Sequence, residues 1–105
     1  MGKFTVLRTK NYTTMCNYHL RDRSLSIKAK GLLSIMLSLP DDWDYSINGL
    51  VTISKDGKDS VISALNELKT ACYIKMTQGK NSNGQFGSWD YDVYEIPYNI
   101  YQYGK

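Results

Sequence analysis

The chain has one histidine and two cysteines among its 105 residues, and it lacks any long apolar run. Each shortage removes a class of function. A lone His19, with no serine or cysteine nucleophile motif beside it, offers no recognisable general base and reads as a structural residue. Cys16 and Cys72 lack metal-site spacing and are too few for a secreted disulfide framework. Two reduced, buried thiols are the simplest reading, with a single disulfide left open. The longest apolar block, "GLLSIMLSLP", carries two serines and stops at Pro40, so no membrane span is expected. The opening "MGKFTVLRTK" is too polar for a secretory signal, which makes a cytoplasmic protein the expectation. "DDWD" (Asp41, Asp42, Asp44) lacks the glycine and closing glutamate of a calcium loop, and "GKNSNGQFGS" lacks both the GK[ST] ending of a P-loop and GxGxxG spacing. No enzyme, metal or cofactor is expected.

What is present is a soluble domain's composition. Apolar residues make up 42% and charged residues 22%, with both signs interspersed, so the chain should fold around one core. There are no internal repeats and no linker, which gives a single domain over 1–105. The net charge of +3 is uneven. Between Lys3 and Lys30 seven basic residues face one acid, Asp22, so this segment is +6 and the remainder must sum to −3. A basic lobe of this kind suits a polyanion or an acidic partner, and equally a solvated surface.

The hydrophobic pattern changes period along the chain. "KFTVLRT" alternates apolar and polar residues and predicts a strand with one buried face. "NYTTMCNYHLRDRS" has no clear period and reads as a loop with a helical turn. "SLSIKAKGLLSIMLSLP" predicts a helix burying Ile27, Leu32, Ile35, Met36 and Leu39, capped by Ser24 or Ser26 and stopped by Pro40. Gly31 inside it suggests close packing against another element. Ser46 can cap a short helix, "INGLVTIS", and "KDGK" is a turn in which Gly57 can accept a positive φ. "KDSVISALNELKTACY" then predicts an amphipathic helix burying Val61, Ile62, Leu65 and Leu68. "CYIKMTQ" and "WDYDVYEIP" alternate again, around the loop "GKNSNGQFGS", and predict a β-hairpin with Cys72, Ile74 and Met76 on one face and Tyr73, Lys75 and Thr77 on the other.

A strand, three helices and a C-terminal β-hairpin wing make an α+β winged helix-turn-helix. In that fold the helix after the "KDGK" turn is the recognition helix. Its non-core side carries Lys58, Asp59, Ser60, Ser63, Asn66 and Glu67, and Lys55 precedes it. Lys, Ser and Asn donate to base edges or phosphates, and a helix N-terminus offers free N–H groups. Asp59 there can also serve as a cap partner to Asp56. Over residues 53–69 three lysines meet three acids, so the helix has no net charge to attract DNA. The grip must come from Lys55, from the wing (Lys75, Lys80, Asn81, Asn83, Gln85) and from Arg21, Arg23, Lys28 and Lys30 against the phosphate backbone. The alternative is a solvated helix face. The nine tyrosines, with Tyr98, Tyr101 and Tyr103 crowding a tail over 98–105, read as packing or interface residues more readily than as a base-stacking surface. Trp43 and Trp89 read as core anchors.

The phrases "NYHLRDRSLSIKAKGLLSIMLSLPDDWDYSINGL" and "ISKDGKDSVISALNELKTACYI", with the trailing "YDVYEIP", closely resemble the N-terminal helix-turn-helix domain of DnaD-like replication proteins, including replisome organisers of Gram-positive phages. The resemblance covers roughly residues 10–97. It implies a module that starts or assembles DNA replication, the N-terminal part (core about 3–97) of a longer protein. It further implies double-stranded DNA and a second copy of the chain as partners, with a helicase loader contacted through a region absent from this chain. A self-association scaffold that never touches DNA, and a winged-helix transcriptional regulator, are the alternatives.

Overall fold

The computed structural model describes residues 2–3, 5–40, 47–80 and 86–100, the side chains of 77–80 and 86–90 excepted. A 3₁₀ turn, His19–Arg21, precedes helix α1 (Ile27–Ser38), α2 (Ile47–Thr52) and α3 (Lys58–Thr70). Strands β1 (Ile74–Lys80) and β2 (Phe86–Val93) then pair antiparallel. The architecture is α+β: three helices and a two-stranded hairpin.

Helix α1 begins at Ser26, whose extended backbone lets its hydroxyl accept the Ala29 N–H at 3.1 Å. It ends where Leu39, forced to an extended conformation by Pro40, leaves the helical region. The buried stripe is Ala29, Leu32, Leu33 and Met36. Leu32 and Met36 were expected there; Ile27, 89% exposed, and Ile35, 37% exposed, were not expected outside. The sequence is apolar on nearly every side of this helix, so spacing alone cannot choose the face. Gly31 is not a close-packing site either, because a Cβ placed on it meets nothing within 4 Å. Gly31→Ala should therefore raise stability by about 0.5–1 kcal/mol, read as a shift in urea midpoint.

In α2 only Leu50 is buried, with Ile47 and Val51 packed on the core; Ile53, just past its end, is exposed. The expected cap, Ser46, and Trp43 lie outside the described residues. Helix α3 buries Val61, Ala64, Leu65 and Leu68, while Ile62 is only half-buried. These side chains meet Leu32, Leu33 and Met36 of α1 in one core.

The end of α3 fixes where the hairpin starts. The Cys72 N–H reaches the Lys69 carbonyl at 3.1 Å and the Tyr73 N–H reaches the Leu68 carbonyl at 3.0 Å, the paired bonds of a Schellman cap. The cap demands a left-handed residue, and Cys72 supplies it at φ 69°. Glycine is the residue that suits this position, so Cys72→Gly should raise stability by about 0.5–1 kcal/mol in the same assay. Cys16 and Cys72 are both free and half-buried, not buried as expected. Tyr73 follows the cap before β1 begins and turns fully inward, which corrects the expectation that it faces outward with Lys75.

Within the hairpin Ile74 pairs with Val93 and Met76 with Tyr91 on the face toward the core, while exposed Lys75 stands opposite exposed Asp92. The strands continue through Gly79 and Lys80 and through Phe86 to Ser88, so the connection is shorter than the glycine-rich stretch implied. Backbone pairing needs no side-chain pattern to persist. One extra residue in β2 shifts the register between Gln78 and Lys80. Beyond β2 the chain folds back: the Tyr94 N–H donates to the Tyr73 carbonyl at 2.8 Å and the Tyr98 N–H to the Cys72 carbonyl at 2.9 Å. Tyr98 packs on Tyr94 with ring centres 5.2 Å apart, while Tyr101 and Tyr103, and the side chain of Trp89, lie outside the described residues.

The expected N-terminal strand is absent among the described residues of 3–9, which join no sheet. Alternation makes a segment compatible with a strand, but a strand needs a partner edge. Val6 and Leu7 are 67% and 88% exposed.

His19 is structural, as expected. It is fully buried, and its Nε2 lies 2.8 Å from the Ser34 hydroxyl oxygen. That hydroxyl already donates to the Lys30 carbonyl, so Nε2 carries the proton and donates. Nδ1 is left buried with no partner among the described residues.

Candidate nucleic-acid interface

The α2–α3 turn spans residues 53–57. Gly57 is the N-cap of α3 with φ −79° and ψ 177°, ordinary extended backbone, so the positive φ expected of it is not used. No side chain caps this end, and the Ser60 hydroxyl approaches Asp56 only at 3.5 Å. The first-turn N–H groups of α3 therefore remain available to an acceptor, with exposed Lys55 and Lys58 beside them and Asp59 in the same turn. Asp59 does not serve as the cap.

The exposed ridge of α3 runs Asp59, Ser63, Asn66, Thr70, at steps of four, three and four. Thr70 was missed by the sequence reading, although the same spacing leads directly to it. The flank toward α1 is engaged. The Lys28 ammonium donates to the Ser63 hydroxyl at 3.0 Å, which brings one of the basic residues of α1 onto the ridge. Glu67, expected on the open face, instead accepts the Ser26 backbone N–H at 2.6 Å and the Ser26 hydroxyl at 2.7 Å. This completes a capping box for α1, with the glutamate supplied by another helix.

The remaining basic residues separate. Lys30 donates to the Leu20 carbonyl at 3.1 Å and so ties the 3₁₀ turn to α1 instead of joining Lys28. Arg21 and Arg23 flank a shallow depression with Cys16, Asn17 and Tyr18, on the segment that leads into α1. Lys75 is exposed on the outer face of the hairpin, its charge opposed by Asp92. The backbone of Lys80 pairs with Phe86, and Asn81, Asn83 and Gln85 lie outside the described residues.

Residues 23–74 match the family model described as a helix-turn-helix domain. The chain carries a helix-turn-helix domain. The match runs from the residues before α1 to the first residue of β1, so it contains α1, both helices of the motif and the turn between them. Comparison with curated proteins and with solved structures gave no match. The hairpin that follows the helix-turn-helix gives it the layout of the winged form. No helix among the described residues is long and apolar enough to cross a membrane.

Titratable groups tie the helix-turn-helix together and give it a defined response to acid. The Ser26 N–H and hydroxyl hold the Glu67 carboxyl below its usual range, and the Ser24 hydroxyl followed by the Tyr73 phenol does the same for Asp22. Depressed carboxyls stabilise the fold above their unfolded values and lose that contribution as pH falls through the folded ones. Burial, with Lys30 nearby, lowers His19 against the opposing pull of Glu95. Below its ordinary 6.5 the unfolded chain takes up a proton that the folded chain refuses, so stability falls there too. Urea midpoints should drop in two stages, the first between pH 7 and 5, the second below about pH 4. His19→Gln, which keeps a donor for Ser34, should flatten the first stage, and Glu67→Gln should reduce the second.

Proposed function

We propose that this chain is the DNA-binding and assembly module of a replication initiator or replisome organiser, contacting duplex DNA through α3 and the hairpin wing. One observation carries the DNA half: the helix-turn-helix places an uncapped α3 N-terminus and the exposed ridge Asp59, Ser63, Asn66 and Thr70 together, with Lys28, Lys55 and Lys58 beside them. Short polar side chains on a helix inserted in the major groove read base edges, and the three lysines meet phosphates. With so few free cations, affinity is modest and falls steeply with salt. The replication role rests on the resemblance of residues 10–97 to DnaD-like proteins.

A gel shift of the chain on random-sequence duplex, and on DNA from around its own coding region, tests this reading. Binding at about 50 mM salt that is lost by about 200 mM supports it. No complex at either salt would leave the assembly role alone. That second reading, self-association without DNA, is favoured by one observation, the uncovered isoleucines on α1 and beside α2.

A further inference from the structure

Two arginines and a tyrosine that lie outside α3 meet at one depression. It has a volume of about 570 Å³ and is lined by Cys16, Asn17, Tyr18, Arg21, Asp22 and Arg23. Asn17, Arg21 and Arg23 are exposed, and neither guanidinium has a hydrogen-bond or ion-pair partner among the described residues. The acid between them is occupied. Oδ1 of Asp22 accepts the Ser24 N–H at 2.9 Å and the Ser24 hydroxyl at 2.6 Å, while Oδ2 accepts the Tyr73 hydroxyl at 2.6 Å. Lys30 also acts on this carboxylate, so positive charge prevails around the depression and both guanidiniums keep their donors for an outside anion.

The Tyr18 ring is backed by Tyr73, with centroids 6.4 Å apart and planes tilted by 56°, and is still 42% exposed. It is held from the inside and open on the outside. An aromatic platform beside cations suits an unpaired nucleotide, whose base stacks on the ring while its phosphate oxygens take the guanidinium N–H groups. The bases of an intact duplex are stacked on one another and cannot use such a platform. Tyr98, Tyr101 and Tyr103 have no cluster of cations beside them in the sequence, whereas Arg21 and Arg23 follow Tyr18 by three and five positions.

We infer that this depression binds an unpaired nucleotide, its base on Tyr18, its phosphate on Arg21 and Arg23, and its base edge at the Asn17 amide. A single strand and a free nucleotide offer the same chemistry. The site goes beyond the duplex reading above and does not rest on it. It adjoins the end of the α3 ridge, because Ser24, the residue after Arg23, lines a second depression with Asn66 and Thr70.

The test is fluorescence anisotropy of the full chain with a labelled oligothymidylate of about twelve nucleotides, with duplex binding measured on the same samples. Wild type should bind the strand. Arg21→Ala combined with Arg23→Ala, both at exposed positions, should weaken strand binding about a hundredfold at low salt, reduce its salt slope by about 1.4, and leave duplex binding nearly as in wild type. Tyr18→Leu should weaken strand binding about tenfold, and Tyr18→Phe, which keeps the ring, should retain it. The bound strand should also slow alkylation of Cys16, which lines the depression, and not of Cys72, which does not. Displacement of the strand by ATP would identify a free nucleotide as the source, and displacement only by unlabelled strand a single strand. Absence of both strand and ATP binding, strand binding that the arginine variant leaves intact, or an equal loss of duplex affinity in that variant would overturn the site. Strand binding without duplex binding would remove the α3 reading alone, and duplex binding without strand or ATP binding would remove this site alone.

Discussion

Tyr73→Ala is expected to cost about 3–5 kcal/mol, a large share of the roughly 5–15 kcal/mol that keeps a domain folded. The side chain is fully buried, one residue past the left-handed Cys72. Its ring lies against Tyr18, with centroids 6.4 Å apart, and its hydroxyl donates to Asp22 at 2.6 Å. Its backbone also holds two segments, donating to the Leu68 carbonyl and accepting from Tyr94. One residue thus joins the end of α3, the 3₁₀ segment and the strand that returns from the wing. Burial and the adjacent Asp22 carboxylate raise the phenol pKa far above its ordinary value, so the hydroxyl stays a donor at every accessible pH. Tyr73→Phe removes only the bond to the carboxylate and should cost about 1.5–3 kcal/mol. Combined with Asp22→Asn in a double-mutant cycle, it should show clear non-additivity in urea unfolding. Equal midpoints for Tyr73→Phe and wild type would mean that the bond contributes nothing.

Lys55→Glu combined with Lys58→Glu should lower duplex affinity by about a hundredfold at low salt, roughly tenfold for each reversal, and reduce the salt slope by about two. Both lysines are exposed and flank the uncapped start of α3. Reversal removes two phosphate contacts and sets two further acids beside Asp56 and Asp59. The loss should be uniform across DNA sequences. Asn66→Ala should behave differently, leaving the salt slope unchanged while reducing discrimination between sequences by about 1–3 kcal/mol at one base pair. Fluorescence anisotropy titrations over a salt series separate the two behaviours.

Sequence alone gave the order and type of the helices and the hairpin, because amphipathic spacing in α3 and the alternation of Ile74, Met76, Tyr91 and Val93 are unambiguous. It misjudged α1, where apolar residues occur on all sides and only the position of α3 and α2 decides which are covered. It overread "KFTVLRT", since alternation cannot reveal whether a partner strand exists. It placed Tyr73 outward by extending the strand period through a helix cap, where the period does not apply. At the candidate site Lys55, Lys58, Asp59, Ser63 and Asn66 emerged exposed as expected. The diversion of Glu67 to Ser26 and of Lys30 to Leu20, and the arrival of Lys28 beside Ser63, depended on contacts 10 to 41 residues apart, which no local pattern encodes.

In the proposed complex α3 meets DNA through one defined ridge. Backbone amide shifts of the labelled chain, followed by NMR during titration with a short duplex, would locate that ridge residue by residue. The predicted result is a set of perturbations centred on Lys55, Lys58, Asp59, Ser63, Asn66 and Thr70, with Lys28 beside them and Ser34 and Ser38 of α1 unmoved. Perturbations confined to residues outside α3 and the turn before it, or none at a DNA excess in low salt, would contradict it.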